Sequence, residues 1–296
     1  LKKKTGYEVK PIFGCEFYTT EDLHVKSGRG KFYHLILLVK NDVGYHNLCM
    51  LNTIAYRDGF YYKPRIDLKT LETYHEGLVC LSACIGGEIP QAILRKDYEE
   101  AERLIQWFHG VFGEDFYLEI QNHGMQEELE VNAKLREYAA KYNIRLVATN
   151  DVHYLKKEDA ESQDVLMCVN MRKTLDDPDR MKFPSDEFYL KTYDEMMKLF
   201  PNDLDALEVI NEIAEKCNYK FTYGTYLYPK FVHGGGLTPL EFLKARIEEG
   251  IIARYGRETK EIRDRINSEM EIIVGKNFIE YFLVVRDYIM AAKNMG

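Results

Sequence analysis

Along the chain, short apolar runs of strand length alternate with longer stretches in which apolar residues recur every three or four positions. Residues 9–18 read as a strand, and 32–39 as a buried one because FYHLILLV is almost continuously apolar. A helix is predicted over 43–56, where Leu48, Leu51 and Ala55 fall on one face. Strands at 78–82, 116–120 and 145–149 then alternate with helices at 98–108 and 127–142. A strand-then-helix rhythm predicts parallel strands joined by helical crossovers, hence an α/β fold that is either a barrel or an open sheet.

The pattern changes over 223–237, where aromatic and turn residues lead through Gly234, Gly235 and Gly236 to TPLE at 238–241. That tetrad is a helix start: Thr238 can cap, Pro239 suits the first helical position, and Glu241 can close a capping box. Beyond it the chain reads as helical, with one apolar stripe through Ile262, Ile266, Met270 and Ile273 and another through Phe278, Phe282, Val285 and Ile289. The division is therefore expected near residue 230, giving an α/β part over 1–230 and a mostly helical part over 231–296.

Composition limits the possibilities. With 296 residues and 46% hydrophobic content, the chain can build one large domain, or a domain and part of another. Its apolar runs are far too short to span a bilayer, and LKKK at the start is not followed by the apolar segment of a signal peptide, so no membrane partner is expected and a cytoplasmic setting is. A start without Met and an abrupt end suggest a piece of a longer protein. The net charge of −8 argues against gripping nucleic acid through the overall field, leaving local patches, a metal, or other parts of a larger protein. Six scattered cysteines form no disulfide framework, and Cys80 and Cys84 lack the second close pair of a zinc finger.

The chemistry-bearing candidates are polar residues at or near the ends of apolar strands. Asp151 and His153, in ATNDVHY, would project from one face of an extended chain, which suits divalent metal ligation; by itself the segment reads rather as an Asp capping the next helix and a His packed in a loop. Glu16 lies in GCEFY, where Gly14 permits close approach. His34 interrupts an apolar strand and by itself reads as a core histidine. Cys84 follows another strand and by itself reads as an inert core thiol. Together the five form a credible mixed ligand set for zinc or manganese. Lys63, Arg65, Arg172 and Lys173 are basic groups that could meet phosphates or simply be solvated.

In order, GCEFY, YHLILL, GFYYKPRID, LSACIGGE, ATNDVHY and DEFYLK resemble the bacterial DNA polymerase III alpha subunit family, the C-family replicative polymerases, over essentially the whole chain. The resemblance implies a PHP (polymerase and histidinol phosphatase) domain. This is a distorted β/α barrel, here without its first strands, followed by a helical segment leading into the polymerase palm. It implies that Glu16, His34, Cys84, Asp151 and His153 match metal-ligand positions, and that zinc or manganese there serves a 3′–5′ exonuclease or a structural remnant of one. It further implies DNA, deoxynucleotides, the sliding clamp and other holoenzyme subunits as partners of the whole protein, in the bacterial cytoplasm near the nucleoid. The family's His-x-His strand would precede Leu1. Its Pro-Asp-x-Asp aspartates, with their magnesium, would follow Gly296, leaving no polymerisation residue in the segment. A free-standing PHP phosphatase acting on a small phosphate ester is the alternative, and the helical part after Thr238 counts against it.

Overall fold

The computed structural model describes residues 6, 9–28, 31–224, 228–233 and 235–296, so that 225–227 and 234 of the transition stretch lie outside the described residues. It divides into two compact units, Leu1–Phe221 and Thr222–Gly296.

In the first unit, β1 (Gly14–Thr20) pairs with β2 (Tyr33–Val39), and α1 (Asp42–Arg57) follows. The α1 N-terminus is capped by Asn41, whose side chain accepts from the Gly44 N–H at 3.0 Å. Leu51 and Ala55 on its predicted face are buried, and Leu48 packs beside them. Next come β3 (Arg65–Asp67), the short α2 (Leu68–Thr73), β4 (Leu78–Leu81), α3 (Glu88–Leu94) and α4 (Tyr98–Phe112). Then follow β5 (Phe116–Ile120), α5 (Gln126–Tyr142), β6 (Leu146–Ala148), α6 (Ala160–Met171), α7 (Tyr193–Leu199) and α8 (Leu204–Lys216).

The strands form one six-stranded sheet in the order β3-β1-β2-β4-β5-β6. It is mixed, whereas the rhythm of elements predicted parallel strands. Strand β2 runs antiparallel to both β1 and β4, while β1/β3, β4/β5 and β5/β6 are parallel. Hydrophobic periodicity carries no information on strand direction, and none of the described residues between β1 and β2 is helical.

Alternation along the strands sorts the sheet into two faces. Phe17, Leu35, Leu37, Val39, Cys80, Leu118 and Ile120 join the main core, with Leu51 of α1, Leu104 and Phe108 of α4, and Leu135 of α5. The opposite face carries a smaller cluster of Val79, Leu81, Tyr117 and Val147, covered by Val209 and Ile213 of α8. Around Glu16 and His34 the same face becomes polar.

The second unit holds α9 (Pro239–Tyr255), α10 (Lys260–Gly275) and α11 (Ile279–Met295). Its start has the expected chemistry: Thr238 accepts from the Glu241 N–H, and Glu241 accepts from the Thr238 N–H at 2.8 Å. The stripes behave differently from expectation. Ile262, Ile266, Met270 and Ile273 are only half-buried, and in α11 the buried residue is Leu283, while Phe278, Phe282 and Ile289 are exposed.

Candidate metal centre

The β1/β2 register sets Glu16 opposite Ile36 and Tyr18 opposite His34, so Glu16 and His34 are diagonal neighbours on the smaller-cluster face. Their side chains meet at 2.6 Å between Glu16 Oε1 and His34 Nδ1. Glu16 therefore lies in the first half of β1, not at its end as GCEFY suggested, because β1 continues to Thr20 along its partner. His34 reaches the same edge because β2 starts where the parallel strands finish. Gly14 does permit close approach, since a Cβ there would lie 2.6 Å from Leu38 Cδ2.

The third donor comes from the turn after β4. Ala83 takes φ 64°, an unfavourable region for an L-residue, and reverses the chain so that Cys84 Sγ lies 3.5 Å from His34 Nδ1. The turn is tied to β2: the His34 N–H donates to the Gly86 carbonyl at 2.9 Å, and the Gly87 N–H to the Cys84 carbonyl at 2.8 Å. A Cβ on Gly86 would stand 3.1 Å from His34 Nδ1, so only glycine leaves the imidazole its ordinary clearance. Carboxylate oxygen, imidazole nitrogen and thiol sulfur all lie within 4.8 Å of one another.

Charge favours a cation in this spot. The hydrogen bonds to Cys84 and to Glu16 push His34 up to about 10 against the opposing effect of burial, the Glu16 contact being much the shorter. Glu16 is held below the usual carboxylate range by its hydrogen bond from His34, with the charges of His34 and His153 adding to it. A proton on Nδ1 thus stands where a metal would draw the same donors together. One oxygen, one nitrogen and one sulfur ligand suit a borderline divalent metal.

Asp151 and His153 lie beyond β6 and form their own pair, with Nε2 of His153 3.4 Å from Oδ1 of Asp151. They are outside the compact trio, although His153 is near enough to act on Glu16. The segment is not extended as expected: Asp151 takes φ 42°, so strand alternation ends before it. His153 is set by its N–H, which donates to the Phe188 carbonyl at 2.8 Å, and by the Phe183 ring at 4.6 Å.

Several residues behind the site were not anticipated. Glu119 is buried on β5, where Thr149 Oγ1 and Gln121 Nε2 both donate to its Oε1. Burial pushes it up to about 7, with Asp151 adding to the shift and the hydrogen bonds opposing it. Its signal was a carboxylate within the apolar run FYLEI, the same kind of interruption that marked His34. His123, just past β5, is wholly buried against Glu128. Of the basic groups, Arg65 is no phosphate contact: it is buried and donates to the carbonyls of Gly59, Leu23 and Val25. Lys63 is exposed and lies over the Tyr18 ring; Arg172 and Lys173 are exposed as well.

Residues 1–123 match the family described as PHP domain, and residues 241–296 match the bacterial DNA polymerase III alpha NTPase domain. The chain is 44% identical to DNA polymerase III subunit alpha of Borreliella burgdorferi, over 98% of this chain and 26% of that protein. The same subunit of Treponema pallidum is 38% identical over 96% of the chain and 25% of the relative; that of Thermus aquaticus is 42% identical over 86% and 22%. Among the described residues no helix is long and apolar enough to cross a membrane. With an α/β body of PHP type followed by helices, the chain, spanning about a quarter of the length of these proteins, belongs to the DNA polymerase III alpha subunit family.

Proposed function

We propose that this chain is the metal-dependent phosphoesterase part of a replicative DNA polymerase, acting as a 3′–5′ exonuclease on DNA ends. The observation that carries the reading is the convergence of Glu16, His34 and Cys84, three unlike donors within 4.8 Å. These residues would hold the metal, and the thiol makes zinc the better match than manganese. Asp151 and His153, just beyond β6, would complete the donor set; the charge that His153 exerts on Glu16 supports this.

A bound divalent ion supplies hydroxide near neutral pH and polarises a phosphate oxygen. The chain's own part is to present the donors to solvent, with the Glu16 and His34 side chains 49% and 32% exposed, so that a DNA end can reach them. DNA synthesis from deoxynucleotides with magnesium, and contacts with the sliding clamp and other holoenzyme subunits, belong to the whole protein.

The intact subunit, given mismatched primers with zinc or manganese, should shorten them from the 3′ end, and Asp151→Ala should lose that activity. Equal degradation by both proteins would remove the exonuclease reading. Metal retained by both with no cleavage by either would leave a metal-stabilised scaffold.

A further inference from the structure

His123 stands on the turn between β5 and α5 with its ring enclosed. Its Nδ1 lies 2.6 Å from Glu128 Oε1, and its backbone N–H donates to Glu128 Oε2 at 2.6 Å, so one carboxylate grips the residue twice. On the other side of the ring, Nε2 lies 2.8 Å from the backbone carbonyl of Asn150. A carbonyl oxygen only accepts, so Nε2 carries a proton; a second proton is shared between Nδ1 and the Glu128 carboxyl, which fixes the orientation of the ring.

The ring also stacks on Phe188, centroids 4.0 Å apart and planes 6° from parallel. The Phe188 carbonyl receives the His153 N–H, and Ser185 Oγ donates to the His123 carbonyl at 2.8 Å. The Asn150 side chain in turn donates to the Tyr189 carbonyl. His123 therefore holds both the segment that carries His153, 149–154, by a ring hydrogen bond, and the segment packed on it, 185–189, by ring stacking and by the bond from Ser185 to its own carbonyl.

A buried polar group is kept only with its partners satisfied, and an apolar side chain would fill this volume without needing any. The arrangement gains position. Asp151, directly after the gripped carbonyl, is held at φ 42°, which a non-glycine residue keeps only where its surroundings impose it. We infer that His123, oriented by Glu128, is a positioning residue that holds the Asn150 carbonyl and so aims Asp151 and His153 at the metal centre. This rests on the reading of Asp151 and His153 as metal ligands.

Two variants of the full chain test it. His123→Phe keeps a stacking ring and loses both nitrogens; Glu128→Gln keeps the shape and loses the anion, and carries both measurements if the first does not fold. Without metal, amide hydrogen exchange should accelerate at 149–154 in either variant while β4 and β5 stay protected; unchanged exchange at 149–154 overturns the inference.

With cobalt(II) as probe, read through the near-ultraviolet absorption of its bond to the Cys84 thiolate, His123→Phe should bind about 10–100-fold more weakly. Its effect should shrink when it is added to Asp151→Ala, because one of the two ligands it aims is then already gone. Equal losses with and without Asp151 would mean a general structural defect and overturn the inference. If Asp151→Ala alone leaves cobalt affinity unchanged, the ligand reading falls, and the exchange measurement still decides whether His123 clamps the turn.

Discussion

Residues 14–221 and the helices after Thr238 use apolar side chains in different ways. The α/β unit buries Leu37, Leu51, Leu71, Ile93, Leu104, Leu118 and Leu135 completely, so that its sheet is filled on both faces. In the helical unit Leu243, Ile251 and Leu283 are the buried apolar residues among those described, and α10 buries none. Ionisable groups follow the division in part. Among the described residues the carboxyls raised by burial, Glu88 and Glu119, are in the α/β unit, whereas carboxylates lowered by hydrogen-bonding partners occur in both, Glu100 and Glu187 in one and Glu241, Glu248 and Glu258 in the other. One unit holds its shape through a filled interior. The other relies on capped ends and surface pairs, which individually contribute little.

The strongest challenge to this contrast is truncation of an apolar residue in each unit. Leu37→Ala, in the middle of β2, should cost about 2–5 kcal/mol, read as a fall in the urea midpoint of the α/β unit. Ile266→Ala on the half-buried stripe of α10 should cost under about 1 kcal/mol. Comparable losses at the two positions would dissolve the distinction.

A smaller effect sharpens the electrostatic half. Glu88 is pushed up to about 7 from 4.5, chiefly by burial, with Glu100 adding to it. A carboxyl whose folded value is raised favours the folded state below its unfolded value, and that contribution disappears as pH rises from 4.5 through about 7. Glu88→Gln should therefore be near neutral at about pH 4 and stabilising by about 1–3 kcal/mol at about pH 8, measured by thermal melts across the range. A gain independent of pH would mean that the substitution acts through packing.

A small effect is expected at the start of the helical unit. Thr238→Ala should cost about 1 kcal/mol by leaving N-terminal amides of α9 without an acceptor, visible as a lower melting temperature by circular dichroism at 222 nm, the usual helix wavelength (about 222 nm). No change would show that the end of α9 is held by something other than its capping box.

Much of the fold was legible because several elements carry unmixed signals. FYLEI at β5 lies where the run of apolar residues put it, and α9 begins at Pro239 as its capping chemistry required. Strand β3 was not legible: its three residues include an arginine and an aspartate, polar types that are buried through bonds to backbone groups of Leu23 and Val25, far away in sequence. The antiparallel course of β2 was hidden for a different reason, since alternation looks the same in both directions. Glu16, His34 and Cys84 were readable as polar interruptions in apolar surroundings, and the structure brings them together. His123 was not, because a histidine in a polar turn looks solvated until α5 and the 185–189 segment fold over it.

The diagonal placement of Glu16 and His34 also bears on how the chain finds its shape. A slip of one residue between β1 and β2 would rotate Glu16 to the side of the sheet now occupied by Phe17, separating it from the imidazole. Cys84 lies 50 positions further along from His34, so the trio can assemble only after β4 has taken its place beside β2. A cation that needs all three donors would then bind only chains paired in the correct register, and would act during folding as a selector among alternative strand alignments.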